Sequence, residues 1–471
     1  MSETKKILIA GGGITGLTAA YYLQKDIQEK GLPYEVKLVE ASSRIGGKIK
    51  TTRRNGFIIE QGPDSMLSRK QPGVKLTGEL GMRDQVVHNG TGQSYILVKN
   101  KLHKMPGGAH MGVPVRIRPF LFSSILPLSG KLRAGMDLVI PKGKTGDQSL
   151  GAFLRRRFGN KLVENTIEPL LSGIYSSNID DMSIQATFPE FYQLEQNHRS
   201  LINGLKKTRP EKAKPPQKTN SQNQGAFFSF ANGLETLVER LGDVLGDTIS
   251  REIGVDHVEK KERGYHVLLS NGEVYQADAL IMATPHQTLP KIFSQFSLFE
   301  PLRAMPVTSV ANVAMAFDKS AIKKDIDGTG FVVSRNSDFR ITACTWTHKK
   351  WPGAAPDGKA LVRCYVGRPD DASIVNKSDE EIKAIVLRDL NKTMDITAEP
   401  EFSVVSRWKS IMPQYTVGHT DRIAGVRRAV RRELPGVTLA GSSYDGVGVP
   451  DCIDQGEKAA NEVLAHLNDH D

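Results

Sequence analysis

The first apolar run along the chain, residues 7–10, is too short for a helix and does not alternate, which predicts a parallel strand buried on both faces. Three glycines follow, and the period then changes: Leu17, Ala20, Tyr21 and Leu23 fall at helical spacing. A second apolar run, residues 36–39, predicts another strand and ends on Glu40. Strand, glycine turn, helix and strand in that order predict a βαβ unit.

Downstream, residues 51–70 read as a hairpin around Asn55-Gly56 that runs into a turn at Gly62-Pro63-Asp64-Ser65. Residues 95–98 and 102–105 flank Lys99-Asn100-Lys101 as a second hairpin. From 112 to about 177 the pattern is helical with prolines between, including 149–158 and 161–171, and it shows no strong apolar stripe. Residues 188–205 continue it. Order resumes with an aromatic stretch at 227–230, a helix at 234–241, strand-like runs at 251–258, 265–269 and up to Asp278, and a buried strand at 279–282. Residues 305–405 hold five apolar strands and one helix, 379–394, which predicts an α+β domain with a mixed or antiparallel sheet. A basic helix at 421–433, a strand at 437–440, a glycine-rich turn at 446–450 and a helix at 451–467 close the chain.

With 471 residues there is enough chain for two or three domains, and 39% hydrophobic with 24% charged residues is ordinary for a globular protein. The net charge of +11 raises nucleic-acid binding, but residues 206–218 alone contribute six basic side chains and one acid, hence +5, in a loop-like composition. An acidic small substrate or an anionic membrane surface accounts for the rest, and no nucleic-acid partner is expected. Arg155, Arg156 and Arg157 read as a solvated helix face, as do Arg427, Arg428, Arg431 and Arg432. Cys344, Cys364 and Cys452 lie far apart in sequence and give neither a C-x-x-C pair nor a metal spacing. Buried thiols in a reducing, cytoplasmic compartment are expected. The first strand begins too early for a signal peptide, and no apolar run reaches the roughly 18 residues a spanning helix needs. The nearest, residues 119–128, contains two prolines. A soluble protein, peripheral at most, is expected.

The glycines of the first turn carry chemistry. Gly11, Gly13 and Gly16 have G-x-G-x-x-G spacing between a strand and a helix. Gly11 permits the tight turn, Gly13 lets backbone approach a pyrophosphate, and Gly16 lets helix and strand pack closely. The helix N-terminus offers free N–H groups to phosphate, and Glu40 stands where a carboxylate meets a ribose hydroxyl. This predicts a dinucleotide site. The following Ala41-Ser42-Ser43-Arg44-Ile45-Gly46-Gly47-Lys48 resembles the R-x-G-G element that wraps FAD in the flavin amine oxidase superfamily, and that resemblance moves the expected cofactor from NAD to FAD. The last helix, pointing its N-terminus at the glycine-rich turn, would close the site that the first helix opens.

Six segments extend the likeness over nearly the whole chain: GGGITGLTAAYYL, GGKI with EQGPDSML, EPLLSGIY, NGLETLVERL, FVVSRNSDFRITACTWTHKKWP and SSYDGVGVPDCIDQG. Together they resemble the bacterial protoporphyrinogen/coproporphyrinogen oxidases, the Gram-positive coproporphyrinogen III type more than the mitochondrial type. The resemblance implies an α/β fold: a discontinuous Rossmann-like FAD-binding domain (1–49, 204–290 and 403–471), an α+β substrate domain (50–111, 180–203 and 291–402) and a helical insertion (112–179), with a flexible basic loop at 206–224. It implies oxidation of coproporphyrinogen III, with protoporphyrinogen IX also accepted, in three two-electron rounds within haem biosynthesis. O₂ would be the acceptor and H₂O₂ the product, with the redox chemistry on the flavin and no catalytic side chain or metal assigned.

By position, the resemblance puts Gly11, Gly12, Gly13, Ile14, Thr15 and Gly16 at the pyrophosphate, and Glu40, Ala41 and Ser42 at the ribose. Arg44, Gly46, Gly47 and Lys48 would lie along the flavin chain, and Gly62, Pro63, Asp64 and Ser65 along the isoalloxazine. Val255 falls at the adenine, Trp408 near the flavin, and Val447, Gly448 and Val449 at its pyrimidine. Arg69 and Lys70 are the expected partners of the propionates, while Ile174, Tyr175 and Phe331 would line the macrocycle. Peripheral membrane contact and hand-over to a downstream haem-pathway enzyme belong to the same expectation. A flavin amine oxidase, a carotenoid-type desaturase and a non-catalytic FAD-containing porphyrin-binding protein are the rival readings.

Overall fold

The computed structural model describes residues 4–90, 92–106, 109–115, 120, 122–143, 145–208, 225–396 and 398–469, apart from the side chains of 172, 174, 369 and 370. Most of the expected basic loop, 209–224, lies outside them.

The opening pattern folds as its spacing predicts. Strand β1 (Lys5–Ala10) leads into helix α1 (Ile14–Lys30), and strand β2 (Tyr34–Glu40) follows. The helix runs a further seven residues past Leu23 to Lys30, where Gly31, at φ 64°, caps it in the left-handed conformation. Five parallel strands form the sheet, in the order Ile249–Arg251, β2, β1, Ala279–Met282 and Val437–Leu439. Its strands thus come from both ends of the chain and from the middle. Along β1, Ile7 and Ile9 enter one core with α1 and the C-terminal helix (Val449–Asn468), while Leu8 and Ala10 enter the core on the other face. A strand covered on both faces reads as an unbroken apolar run for that reason.

The second sheet has seven strands, in the order Phe402–Pro413, Val307–Asp318, Lys359–Val366, Ala343–Trp346, Gly330–Val333, Tyr95–Val98 and Lys101–Lys104. Neighbours are antiparallel except Gly330–Val333 beside Tyr95–Val98. Helix Asp379–Met394, started by a Ser378–Glu381 capping box, packs on one face. The hairpin Tyr95–Val98/Lys101–Lys104 turns on two residues, Lys99 and Asn100, both at positive φ, so its second strand begins at Lys101 rather than 102.

Two expectations for the helical insertion need correction. Arg157 is not on a solvated face. Leu150, Phe153, Leu154 and Arg157 share one buried helix face at i, i+3, i+4 and i+7. The Arg157 guanidinium meets Asp137 at 2.6 Å and Glu195 at 3.2 Å, and all three side chains are fully buried. Nor is the region free of an apolar stripe. Phe122, Leu128, Leu132, Met136 and Val139 are all exposed, Phe122 by 89%, and from Leu128 they recur at helical spacing. No helix among the described residues is long and apolar enough to cross a membrane.

Candidate active site

A cavity of about 1710 Å³ runs from the carboxyl ends of the parallel strands to the face of the seven-stranded sheet opposite its helix. One bound ligand typically occupies roughly 300–1,000 Å³, so there is room for two together.

At the parallel sheet the wall is built by the first turn. Gly11 leaves β1 at φ 107°, its N–H on Val39 O at 2.8 Å. Gly13 is the N-cap of α1 and has no side-chain cap, and a Cβ there would meet nothing within 4 Å. Gly11, Gly13, Ile14, Thr15, Glu40, Ala41, Gly46, Gly47 and Lys48 all line the cavity, and Val255 lines it beyond Glu40. Four expected contacts do not. Gly16 has its helix pressed on the turn: a Cβ there would sit 2.0 Å from Gly11 O. Gly12 gives its N–H to Glu40 Oε2 at 2.6 Å. Ser42 holds the other Glu40 oxygen, Oε1, through N–H at 2.9 Å and hydroxyl at 2.7 Å. Arg44 is spent on the turn itself, donating to Gly47 O at 2.7 Å and to Ile49 O, and pairing with Glu235 at 3.1 Å. These four shape the wall from behind. Lys48 reaches Ser442 Oγ at 3.0 Å, and burial lowers its pKa.

Gly62, Pro63, Asp64 and Ser65 cross the middle of the cavity beside Trp408. Their backbone is braced by side chains from the sheet. Arg363 donates to Glu60 O at 2.9 Å and Gly62 O at 3.3 Å. Trp408 Nε1 donates to Gln61 O at 2.8 Å, and Asn312 donates to the same oxygen. Asp64 accepts from Lys350 at 2.8 Å and faces Arg363 at 3.2 Å. Burial alone would raise its pKa; Lys350 and Arg363 outweigh that and hold it below the usual carboxylate range. Opposite them, Val447, Gly448 and Val449 line the cavity, and the C-terminal helix begins at Val449, two residues before the expected start, with uncapped Gly448 before it.

Glu60 lies just behind this segment and is pushed the other way. Burial raises its pKa to about 7, against hydrogen bonds from Leu234 N–H and Thr51 hydroxyl. Its usual value is near 4.5, so between about 4.5 and about 7 the folded protein holds a proton the unfolded chain has lost. Stability therefore falls as pH rises through that window, by roughly 3 kcal/mol. Glu60→Gln is neutral at every pH: its carbonyl keeps the Leu234 N–H bond, and its NH₂ donates to the Thr51 hydroxyl oxygen in place of the bond the carboxylate accepted. It is expected to flatten the fall, raising Tm above wild type at about pH 8; thermal unfolding as a function of pH checks it.

At the far end, Arg69 and Lys70 line the cavity, Lys70 paired with Asp451 in the first turn of the C-terminal helix. Tyr175 and Phe331 do not. Tyr175 faces the helical core against Phe188 and Tyr415, while Gly173 and Ser176 of the same turn face the cavity. Phe331 packs on Trp346 beneath the sheet, because period two sends it to the face opposite Val332, which lines the cavity. Ile174 belongs to the helix Glu168–Tyr175, but its side chain lies outside the described residues. Sequence reasoning missed Arg335, Arg363, Arg368 and Glu168, all of which line the cavity. The one local signal was Arg363, a charge inside the apolar run Leu361–Val366.

The model of the family described as flavin containing amine oxidoreductase matches residues 14–464. The chain belongs to that family. Within this flavin oxidoreductase family, similar curated proteins include the coproporphyrinogen III oxidase of Bacillus subtilis (strain 168), 51% identical over 99% of this chain and 100% of its own length. That of Staphylococcus aureus is 42% identical over 98% and 100%. A crystal structure of an Exiguobacterium sp. 255-15 protein described as a protoporphyrinogen oxidase superposes with a TM-score of 0.86, at 38% identity and 99% coverage of both chains. Putrescine oxidase, 16% identical with a TM-score of 0.70, shares the fold.

FAD is the cofactor of this family, and the residues present fit it. Two helices open on the cavity with uncapped N-termini, at Gly13 and Gly448, and each leaves first-turn N–H groups free for an anion or a polar ring edge. Glu40 keeps acceptor capacity beyond the three hydrogen bonds it takes from Gly12 and Ser42.

Proposed function

We propose that this protein oxidises coproporphyrinogen III to coproporphyrin III, with O₂ as acceptor and H₂O₂ as product, and that it also turns over protoporphyrinogen IX. The observation that carries this reading is the end of the cavity away from the glycine turn. There, apolar walls such as Val310, Val332 and Met412 are ringed by Arg69, Lys70, Arg335 and Arg368. A flat apolar macrocycle edged with carboxylates suits such a lining. A protonated amine would be repelled by it, which disfavours an amine oxidase.

Bound FAD supplies the chemistry, taking up hydride and passing electrons to O₂. The chain binds and orients. The N–H groups around Gly11, Gly13, Ile14 and Thr15 would hold the pyrophosphate, Glu40 with Ala41 the ribose, and Val255 the adenine edge. Gly46, Gly47 and Lys48 would follow the flavin chain, with Arg363, Asn312 and Trp408 fixing the Gly62–Ser65 wall against the ring. Val447, Gly448 and Val449 would meet its opposite edge. Arg69 and Lys70 would take propionates. Fluorescence-monitored turnover of coproporphyrinogen III and protoporphyrinogen IX, beside H₂O₂ release from amines, tests the assignment; turnover of amines alone would reverse it.

The exposed stripe of Phe122, Leu128, Leu132, Met136 and Val139 supports peripheral docking on an anionic membrane, given the basic balance of the chain. Co-sedimentation with phosphatidylserine vesicles is expected, and Phe122→Asp with Leu132→Asp is expected to reduce it about tenfold or more. Absence of binding by the wild type would instead favour a protein partner, such as a downstream haem-pathway enzyme, on this face.

A further inference from the structure

Three consecutive residues after the strand Gly330–Val333 grip the helical insertion. Ser334 donates its hydroxyl to Glu164 O and its N–H to Leu97 O, both at 2.9 Å. Asn336 donates from Nδ2 to Asn165 Oδ1 at 2.7 Å. Between these anchors Arg335 reaches Glu168, Nε to Oε1, at 2.7 Å. Glu164 and Asn165 belong to a π-helical turn, Val163–Ile167, which inserts a residue into the helix immediately before Glu168. Such turns re-aim the side chains that follow them, and Glu168 with Pro169, Leu170 and Gly173 then faces the cavity.

The ion pair is asymmetric. The Glu168 side chain is 4% exposed and that of Arg335 is 38%. Burial pushes the Glu168 pKa up while Arg335 pulls it down, as expected of a carboxylate retained inside only with its partner. Arg335 engages it through Nε and has no other polar partner among the described residues. Its two terminal NH₂ groups, the fork that binds carboxylates in bidentate fashion, are left for a group in the cavity.

The position along the sheet matters. Gly330–Val333 and Ala343–Trp346 run antiparallel, with Phe331 opposite Cys344. Arg335 extends from one end of this pair. From the other end extends Lys350, whose ammonium lies over Phe227, and the strand Phe227–Phe230 pairs with Met66–Leu67, one residue before Arg69 and Lys70. Four-residue strands span roughly 13 Å, so the two cationic groups stand apart on the scale of a tetrapyrrole.

We propose that Arg335 is a second carboxylate-recognition point, across the substrate end of the cavity from Arg69 and Lys70, and that Glu168 is its positioning residue. Coproporphyrinogen III carries propionates on all four rings; protoporphyrinogen IX carries vinyl groups on two adjacent rings and propionates on the other two. With the shared propionates at Arg69 and Lys70, Arg335 reads the rings that differ. It thereby sets the preference for a tetra-acid over a di-acid. This rests on the porphyrinogen-oxidase reading above.

The test is the ratio of kcat/KM for coproporphyrinogen III to that for protoporphyrinogen IX, in FAD-loaded wild type, Arg335→Gln, Arg335→Lys and the double variant Glu168→Gln with Arg335→Gln. The double variant leaves no buried carboxylate unpaired, so it guards against a folding failure of the single one. The ratio is expected to fall about tenfold in Arg335→Gln and in the double variant, mainly through KM for the tetra-acid, and to recover in part in Arg335→Lys. A domain latch without substrate contact would lower both activities and FAD content together and leave the ratio within about twofold of wild type, and that result overturns the proposal. Wild type that oxidises neither porphyrinogen would overturn the functional reading and this proposal together; wild-type turnover with an unmoved ratio overturns this proposal alone.

Discussion

Gly16→Ala is expected to give a protein of reduced stability that binds FAD at least about a hundredfold more weakly than wild type. The added Cβ would lie 2.0 Å from Gly11 O and 3.2 Å from Gly11 C, and both are backbone atoms of the turn that leaves β1. Nothing at the end of a flexible side chain can give way. Ala283 Cβ, at 3.4 Å, closes the other direction. Either α1 lifts from the sheet or the turn moves, and a backbone displacement in a packed interior costs about 3 kcal/mol. Gly456 of the C-terminal helix also packs closely on α1, its own Cβ position 2.5 Å from Thr15 O, so α1 is held from both sides.

Gly13→Ala separates the two roles of the motif. Gly13 sits at φ −71°, which any residue adopts, and a Cβ there touches no protein atom within 4 Å. That variant is expected to unfold as the wild-type apoprotein does, yet to lose FAD affinity. Chemical denaturation of both apoproteins, with FAD titration followed by flavin fluorescence, checks the pair. Equal apoprotein stability for Gly16→Ala and wild type would show that the turn yields easily.

The contrast explains which parts of the site could be read from sequence. Glycine spacing, the acid ending β2 and the glycine turn before the last helix are local patterns, and each maps onto one stretch of backbone. They located the parallel-sheet end of the cavity. What lies across the cavity is set by register between distant strands. Val332 faces the cavity and Phe331 the core because of one residue of parity, which an apolar run does not reveal. Arg335 and Glu168 lie far apart in sequence and meet only through the anchors on either side of Arg335. Arg157 shows the same limit. Three adjacent arginines look alike in sequence, and only the helix face assigns one of them to a buried carboxylate pair.

Asp64→Asn is expected to lower stability by about 3–5 kcal/mol at neutral pH and to depress turnover together with FAD retention. The wild-type carboxylate stands among donors: Lys350 at 2.8 Å, Arg363 at 3.2 Å, Trp351 Nε1 at 3.4 Å and the Ser65 hydroxyl at 2.7 Å. Both cations address Oδ2 and the Ser65 hydroxyl addresses Oδ1, so an amide leaves the two cations a neutral carbonyl with no counter-charge and turns the Ser65 contact from acceptor to donor. Arg363 cannot retreat, because it also carries Glu60 O and Gly62 O and is 4% exposed. The strain passes to the Gly62–Ser65 wall. That wall is what the flavin ring would lie against, which is why activity and FAD retention are expected to fall with stability. Because the folded pKa of Asp64 lies below its usual value of 3.8, its contribution is fully present above that value and disappears as pH falls through the folded pKa. The gap between wild type and variant is therefore expected to be widest at neutral pH and to close on acidification below about pH 4. Lys350→Met added to Asp64→Asn should recover part of the loss, since it withdraws the cation that the amide leaves unpaired. Denaturant unfolding at a series of pH values, run on the four proteins of this double-mutant cycle, gives the coupling directly; a coupling near zero would mean that the Asp64–Lys350 pair does not hold the wall in place.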